Sequence, residues 1–292
     1  MGYVPNKLAQ NLLKNKTGIF GVVVPDISNI YMSNFIKHLE RFTREKGMYL
    51  MLGSTQNCLE KEKEIIKSFI AQKVDGLIIS PGNYYEEIMY GEITEYIKKR
   101  KTPFCLANLS FPNIQCNYVL PDLEGGAYAI TDYMMKKGLK EVYFAGGTKE
   151  HYYSYIRFKG FCRALEKHGA VDIEQRYIEC QGEYDFAQGT GIACQLMTWG
   201  ALPQGIVAVN DMVAYGIIEG LKPHGISVPR DICVTGFDNT ELPVKMGYRL
   251  TSVNIPLEDM ARLCVDIINK NENKHVLSQH TIQTEIIEGE TA

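Results

Sequence analysis

Apolar runs and helical repeats alternate along the whole chain. Residues 19–24 (IFGVVV) are apolar without alternation, as in a strand buried on both faces. A polar exit, PDISN, follows, and then Phe35, Ile36, Leu39 and Phe42 recur at the spacing of one helix face. The same reading gives strands over 49–52, 74–80, 104–107 and around Val119, with helices over 31–46, 60–72 and 85–101 between them. The pattern restarts after Lys140, with strands over 141–145, 177–179, 206–209 and 232–234 and helices over 154–168, 186–198 and 212–221. An extended stretch at 248–256, a helix over 257–269 and one last strand over 281–287 complete the chain. Strand–helix–strand crossovers in steady succession make parallel sheets, so two such series predict an α/β protein of two doubly wound lobes.

The stretch 206–242 shows where a ligand would sit. Its two strands are joined by a helical crossover and must run parallel. Asn210-Asp211 and Asp238-Asn239 therefore leave the sheet at the same edge, and ligands of open α/β sheets bind off that edge. A simpler account covers the first pair alone: Asn210 caps the helix and Asp211 complements its positive end.

Composition narrows the class. The chain has 292 residues, 45% hydrophobic and 22% charged, enough for two domains with their own cores. A net charge of −3 makes the body no polyanion binder by charge alone. The first 17 residues differ, with Lys7, Lys14, Lys16 and no acid. The 8 cysteines form no CxxC, and several sit in apolar runs, which fits buried thiols in a reducing cytoplasm. The 6 histidines lack ligand spacing, and GxxxxGK[ST], GxSxG and HExxH are absent, so no metal, cofactor or catalytic residue is expected. No apolar run has the length of a membrane span, and polar residues interrupt the first dozen positions, so a cytoplasmic protein with no membrane partner is expected.

VNDMVAYGIIEGLKPHGISVPRDICVTGFDNTEL resembles a characteristic block of the LacI/GalR family of bacterial transcription regulators, and VVVPDISN, KVDGLIIS and LPDLEGGAYAITDYMMKKG resemble further landmarks. The resemblance implies a periplasmic-binding-protein-like type I architecture, its two parallel-sheet lobes joined by three crossover strands near 136–138, 252–254 and 276–280. It divides the chain into a hinge segment (1–17), an N-terminal lobe (18–137 plus 253–276) and a C-terminal lobe (138–252 plus 277–292). YVPNKLAQNLLKNKT resembles the family's hinge segment, which follows a helix-turn-helix domain that this chain does not include. By that likeness Leu12 is a minor-groove wedge, Leu8 and Ala9 lie near the hinge of a second copy, and Lys7 and Lys14 meet phosphates.

The resemblance also implies an effector site. Arg157, in an RxxGF pattern, and Asp238, in a GxD turn, match effector-binding residues, and Asn210 matches a residue that meets sugar hydroxyls. Tyr31 and Met32 match an aromatic or apolar wall, Tyr184 a stacking ring, and Asn108 a further contact. Pro121-Asp122 departs from the family's usual Asp-Asn, so no ligand role is carried over to that loop. Acids that accept from hydroxyls and rings that stack on C–H faces suit a saccharide, with a purine as the competitor. The implied protein is a homodimer that senses a small effector and binds operator DNA in its full-length form. Two other classes are the alternatives: a solute-binding receptor of a sugar transporter, which shares the fold, and a doubly wound sugar- or nucleotide-processing enzyme.

Overall fold

In a computed structural model that describes residues 16–82, 87–149, 151–179, 184–240, 246–270 and 277–292, helices and strands alternate along most of the chain. In order they are β1 (Ile19–Val24), α1 (Ile30–Glu45), β2 (Tyr49–Ser54), α2 (Leu59–Ala71), β3 (Gly76–Ile79), α3 (Glu87–Lys99), β4 (Phe104–Ala107) and β5 (Asn117–Pro121). Then come α4 (Leu123–Lys136), β6 (Val142–Gly146), α5 (Tyr152–Lys167), β7 (Tyr177–Glu179), α6 (Phe186–Leu196), β8 (Gly205–Ala208), α7 (Asp211–Leu221) and β9 (Cys233–Asp238). The chain closes with β10 (Thr251–Asn254), α8 (Leu257–Lys270), β11 (Gln279–Ile282) and β12 (Glu285–Ile287). The expected arm residues Lys7, Leu8, Ala9, Leu12 and Lys14 lie outside the described residues.

The chain divides into two compact units: Met1–Pro121 with Pro256–Ile282, and Asp122–Ile255 with Gln283–Ala292. The first holds a parallel sheet in the order β11-β5-β4-β3-β1-β2. Every residue of β3 and β4 is buried, which is why these runs read as continuously apolar. Helix α1 buries Met32, Phe35, Leu39 and Phe42, so Met32 rather than Ile36 completes its core stripe. The second unit holds the sheet β12-β10-β9-β8-β6-β7, parallel except for the antiparallel β10–β12 pair.

Two expectations need correction. The chain first passes between units at Pro121/Asp122, not near 136–138, and α4 belongs to the second unit. The reason is its packing on α5: a Cβ at Gly160 would lie 2.1 Å from the Glu124 carbonyl oxygen, so only glycine permits this approach. The later passages fall at Ile255/Pro256 and Ile282/Gln283. The single last strand is two short ones, since β11 pairs with β5 in one sheet and β12 with β10 in the other. The apolar alternation continues across Gln283-Thr284, and nothing in it marks the change of sheet.

Candidate functional site

In each sheet the strand order reverses once, and crevices for ligands open at such reversals, beyond the carboxyl ends of the strands. In the second unit the reversal lies between β6 and β8. Four of the sequence-derived residues gather there.

Arg157 lies in the second turn of α5 and is 7% exposed. Its Nη1 donates to the Val209 carbonyl at 2.8 Å and its Nη2 to Asp238 Oδ1 at 3.0 Å. The guanidinium carbon sits 4.1 Å from the centroid of the Phe237 ring, a cation–π contact in a desolvated place. Its Nε is buried and has no hydrogen-bond partner among the described residues. Asp238, the last residue of β9, has a φ of 97°. That left-handed backbone is strained for a non-glycine residue, and strain of this kind collects at ligand sites. Burial pushes the Asp238 carboxyl up to about 6, although the Arg157 charge and hydrogen bond pull it down. Desolvation outweighs the pairing, as is common for buried ion pairs.

Asp211 has a different task. It is 1% exposed, and its Oδ2 accepts from the Thr240 N–H at 2.5 Å and the Thr240 hydroxyl at 3.1 Å, while Oδ1 accepts from Ser252 Oγ at 2.6 Å. It thus ties the residues just beyond Asp238 to β10. Burial, and then the charge of Asp238, raise its carboxyl to about 7.

Asn210 caps α7: its Oδ1 accepts from the Val213 N–H at 2.9 Å. Its Nδ2 donates to the Tyr184 carbonyl at 2.9 Å. The cap explanation therefore holds for Asn210, and the cap also fixes the segment that carries Tyr184. The Tyr184 hydroxyl lies 2.9 Å from Ser154 Oγ and 3.1 Å from His151 Nδ1. Ser154, three residues before Arg157 on the same helix, also accepts from the Gly147 N–H at 3.0 Å.

In the first unit the reversal lies between β1 and β3, and the remaining three residues meet at this edge. The Tyr31 hydroxyl donates to Asn108 Oδ1 at 2.5 Å, and Asn108 Nδ2 donates to Ser80 Oγ at 3.0 Å. Ser80 in turn donates to the Met32 sulfur at 3.8 Å. Asn108 is 3% exposed with φ 70°, a conformation asparagine tolerates better than most residues. Met32 is 7% exposed and backs the cluster from α1. Sequence reading missed Ser80, Ser154 and the Asp211–Ser252 bond. Position was the available signal: Ser80 directly follows β3 and Ser154 sits one turn before Arg157, but hydroxyls are too common for that to single them out.

Each edge offers fixed donors and acceptors beside aromatic or apolar walls, which suits recognition of a small polar solute. Among the described residues no group of three or more His, Cys, Asp or Glu could hold a metal ion, and no helix is long and apolar enough to cross a membrane.

Comparison with known proteins places this geometry. A family model described as a periplasmic binding protein-like domain matches residues 131–292. The catabolite control protein A of Priestia megaterium is 30% identical over 284 residues, which is 97% of this chain and 83% of that protein. Among solved structures, the lac repressor dimer bound to operator and the anti-inducer ONPF aligns with a TM-score of 0.85 at 19% identity, covering 99% of this chain and 86% of that one. A LacI family transcriptional regulator from Enterococcus faecium with bound ribose aligns with a TM-score of 0.80 at 19% identity, covering 94% and 98%. The structural likenesses carry the fold. The matched family domain and the near full-length sequence match carry membership, and the chain belongs to the LacI/GalR family of transcription regulators, a family of non-catalytic ligand-responsive proteins.

Proposed function

We propose that this chain is the effector-binding and dimerisation core of a cytoplasmic, ligand-responsive transcription regulator, and that its effector is a sugar or sugar derivative. The observation that carries the reading is the Arg157–Asp238 pair at the carboxyl edge of the second sheet. Nη1 and Nη2 each donate one N–H to a protein acceptor and keep a second, and only Oδ1 of Asp238 is engaged among the described residues. A hydroxyl-rich ligand both accepts from the guanidinium and donates to the carboxylate, and the nearby rings of Phe237 and Tyr184 suit its C–H faces. Tyr31, Met32, Asn108 and Asn210 complete the proposed set of effector contacts. The ribose seen in the Enterococcus faecium regulator and the operator seen with the lac repressor agree with this reading. Operator DNA is engaged, in the full-length protein, through the arm that carries Lys7, Leu8, Ala9, Leu12 and Lys14. For the effector to change operator affinity tenfold it must prefer one state by about 1.4 kcal/mol.

The first prediction is a binding one. A melting-temperature screen over monosaccharides, disaccharides, sugar phosphates and purines should select a saccharide, because a ligand that binds only the folded chain raises its melting point. In calorimetric titration of that ligand, Arg157→Ala and Asp238→Asn should each weaken affinity roughly tenfold or more. Selection of a purine and no saccharide would overturn the sugar assignment. Unchanged affinity in both variants would overturn the site.

A further inference from the structure

We propose that the amino-terminal edge of the first sheet is a second, phosphate-contacting surface for duplex DNA, formed by Lys73, Arg100 and Lys101 of the folded body. The proposal rests on the regulator reading above and extends DNA contact beyond the arm.

An open hollow of about 820 Å³ lies at this edge, lined by Lys16, Lys73, Arg100 and Lys101, with Asp75 as its one acid. That acid is already engaged: Asp75 Oδ1 accepts from the Thr17 N–H at 2.8 Å and Oδ2 from the Gly18 N–H at 2.7 Å. Among the described residues Lys73, Arg100 and Lys101 make no ion pair, and all three are exposed. Arg100 lies over Tyr96, its guanidinium carbon 3.9 Å from the ring centroid, which holds the group at the rim. Cations left without acids on a chain of net charge −3 mark a surface built for an anion.

The backbone supplies an independent observation. Lys73 and Lys101 have φ of 59° and 57°, in the left-handed position that follows α2 and α3. Glycine is the usual occupant of such a helix end. In this chain Gly47, Gly138 and Gly169, with φ of 74°, 91° and 70°, fill the same place after α1, α4 and α5. Among the described residues the ends of α2 and α3 carry lysine there, against the conformational preference, while the end of α1, whose neighbour Met48 also lines the hollow, carries glycine. Complementing the negative helix end does not account for Lys101, because α3 already has Lys98 and Lys99 in its last turn, whereas at α2, with no base in its last turn, Lys73 also serves that role.

Placement favours DNA over a free anion. The bonds from Thr17 and Gly18 to Asp75, and from the Thr17 hydroxyl to the Lys73 carbonyl at 2.9 Å, fix the root of the arm at the rim of the hollow, where Lys16 is part of the lining. Any duplex that meets Lys7 and Lys14 is therefore tethered within a few residues of Lys73 and Lys101. Lys16, at the foot of the arm, and the three cations of the rim line one hollow.

The test uses the 292-residue chain and a fluorescein-labelled duplex of about two helical turns, with affinity read by anisotropy from about 50 to about 200 mM salt. Lys73→Gly/Arg100→Gln/Lys101→Gly should make the log–log salt slope shallower by roughly 2 to 3 and weaken binding roughly tenfold. Its melting point should hold or rise, because glycine relieves both left-handed positions. A fall in melting point with unchanged DNA binding would make the lysines structural and overturn the proposal. So would a slope no shallower than that of Lys140→Gln/Lys222→Gln/Arg249→Gln, a matched removal of three charges on the other unit. If Lys7→Gln/Lys14→Gln alone reduces the slope, the arm reading stands and this surface does not. Absence of duplex binding at the lowest salt would reject both.

Discussion

Asp211 shows how one buried carboxyl organises the carboxyl edge of the second sheet. It is ionisable, almost inaccessible, and bonded to the two residues that shape the turn after Asp238. Its ordinary value of 3.8 rises to about 7 in the fold, mainly through burial and then through the Asp238 charge. Between those values the folded chain holds a proton that the unfolded chain has lost. Stability linked to Asp211 is therefore fully present below about pH 4 and is lost as pH rises through about 7. Asp211→Asn removes the titration and leaves the shape. The melting-temperature difference between wild type and this variant should shift against the wild type from about pH 4 to about pH 7 and level off above it. A difference that stays flat with pH would show that Asp211 does not carry this linkage. At this scale the sequence was legible where chemistry is rare: an arginine early in a helix and an acid at a strand end stand out, and Arg157 and Asp238 do meet. Asn210 was legible in two ways, as cap and as contact, and the structure shows the cap. Ser80 and Ser154 were not legible, because a serine declares its role only through its partners in space.

Elements were easier to read than their allegiances. Periodicity gives each helix because a buried stripe must recur every three to four residues, and α1 shows this with Met32, Phe35, Leu39 and Phe42. It does not say which sheet a helix covers. The sequence around α4 looks like the close of the first series, yet α4 packs on α5 through Gly160. The same blindness joins β11 to β12, since two short strands of like pattern read as one. The α4–α5 contact is open to a direct measurement. A Cβ at Gly160 would lie 2.1 Å from the Glu124 carbonyl and 2.8 Å from the Tyr128 nitrogen, backbone atoms that cannot step aside as side chains do. Gly160→Ala should thus destabilise the second unit by about 1–3 kcal/mol, visible as a drop of several degrees in thermal unfolding. Gly191→Ala is the control, because nothing lies within 4 Å of a Cβ built there and alanine favours a helix interior. Equal melting points for the two variants would mean that the helices are not in this close contact.

For the molecule as a whole, the sheet edges decide how copies associate. Edge strands expose unpaired backbone groups, and proteins usually guard them with charge, proline, shortness or a covering element. In the second sheet both edges are short, since β7 and β12 have 3 residues each. In the first sheet β11 is short and largely polar, but β2 runs for 6 residues and presents Tyr49 at 61% and Leu52 at 44% exposure. An exposed apolar edge of this length is a surface that needs a cover, and a second copy related by a twofold axis supplies the same strand in return. That is the physical support for the homodimer we propose, and it matches the paired half-sites read by dimeric regulators. Tyr49→Lys/Leu52→Lys guards the edge with like charge and leaves Gly53, the buried residue of β2, untouched. Light scattering after gel filtration should find the wild type at twice the chain mass and the variant at the 33.0 kDa of a single chain. Circular dichroism should be unchanged, since both side chains are exposed. A wild type that runs as a monomer at tens of micromolar would reject the dimer itself. A variant that stays dimeric would move the interface elsewhere, because a twofold pairing through β2 would set the two lysines of one copy against those of the other.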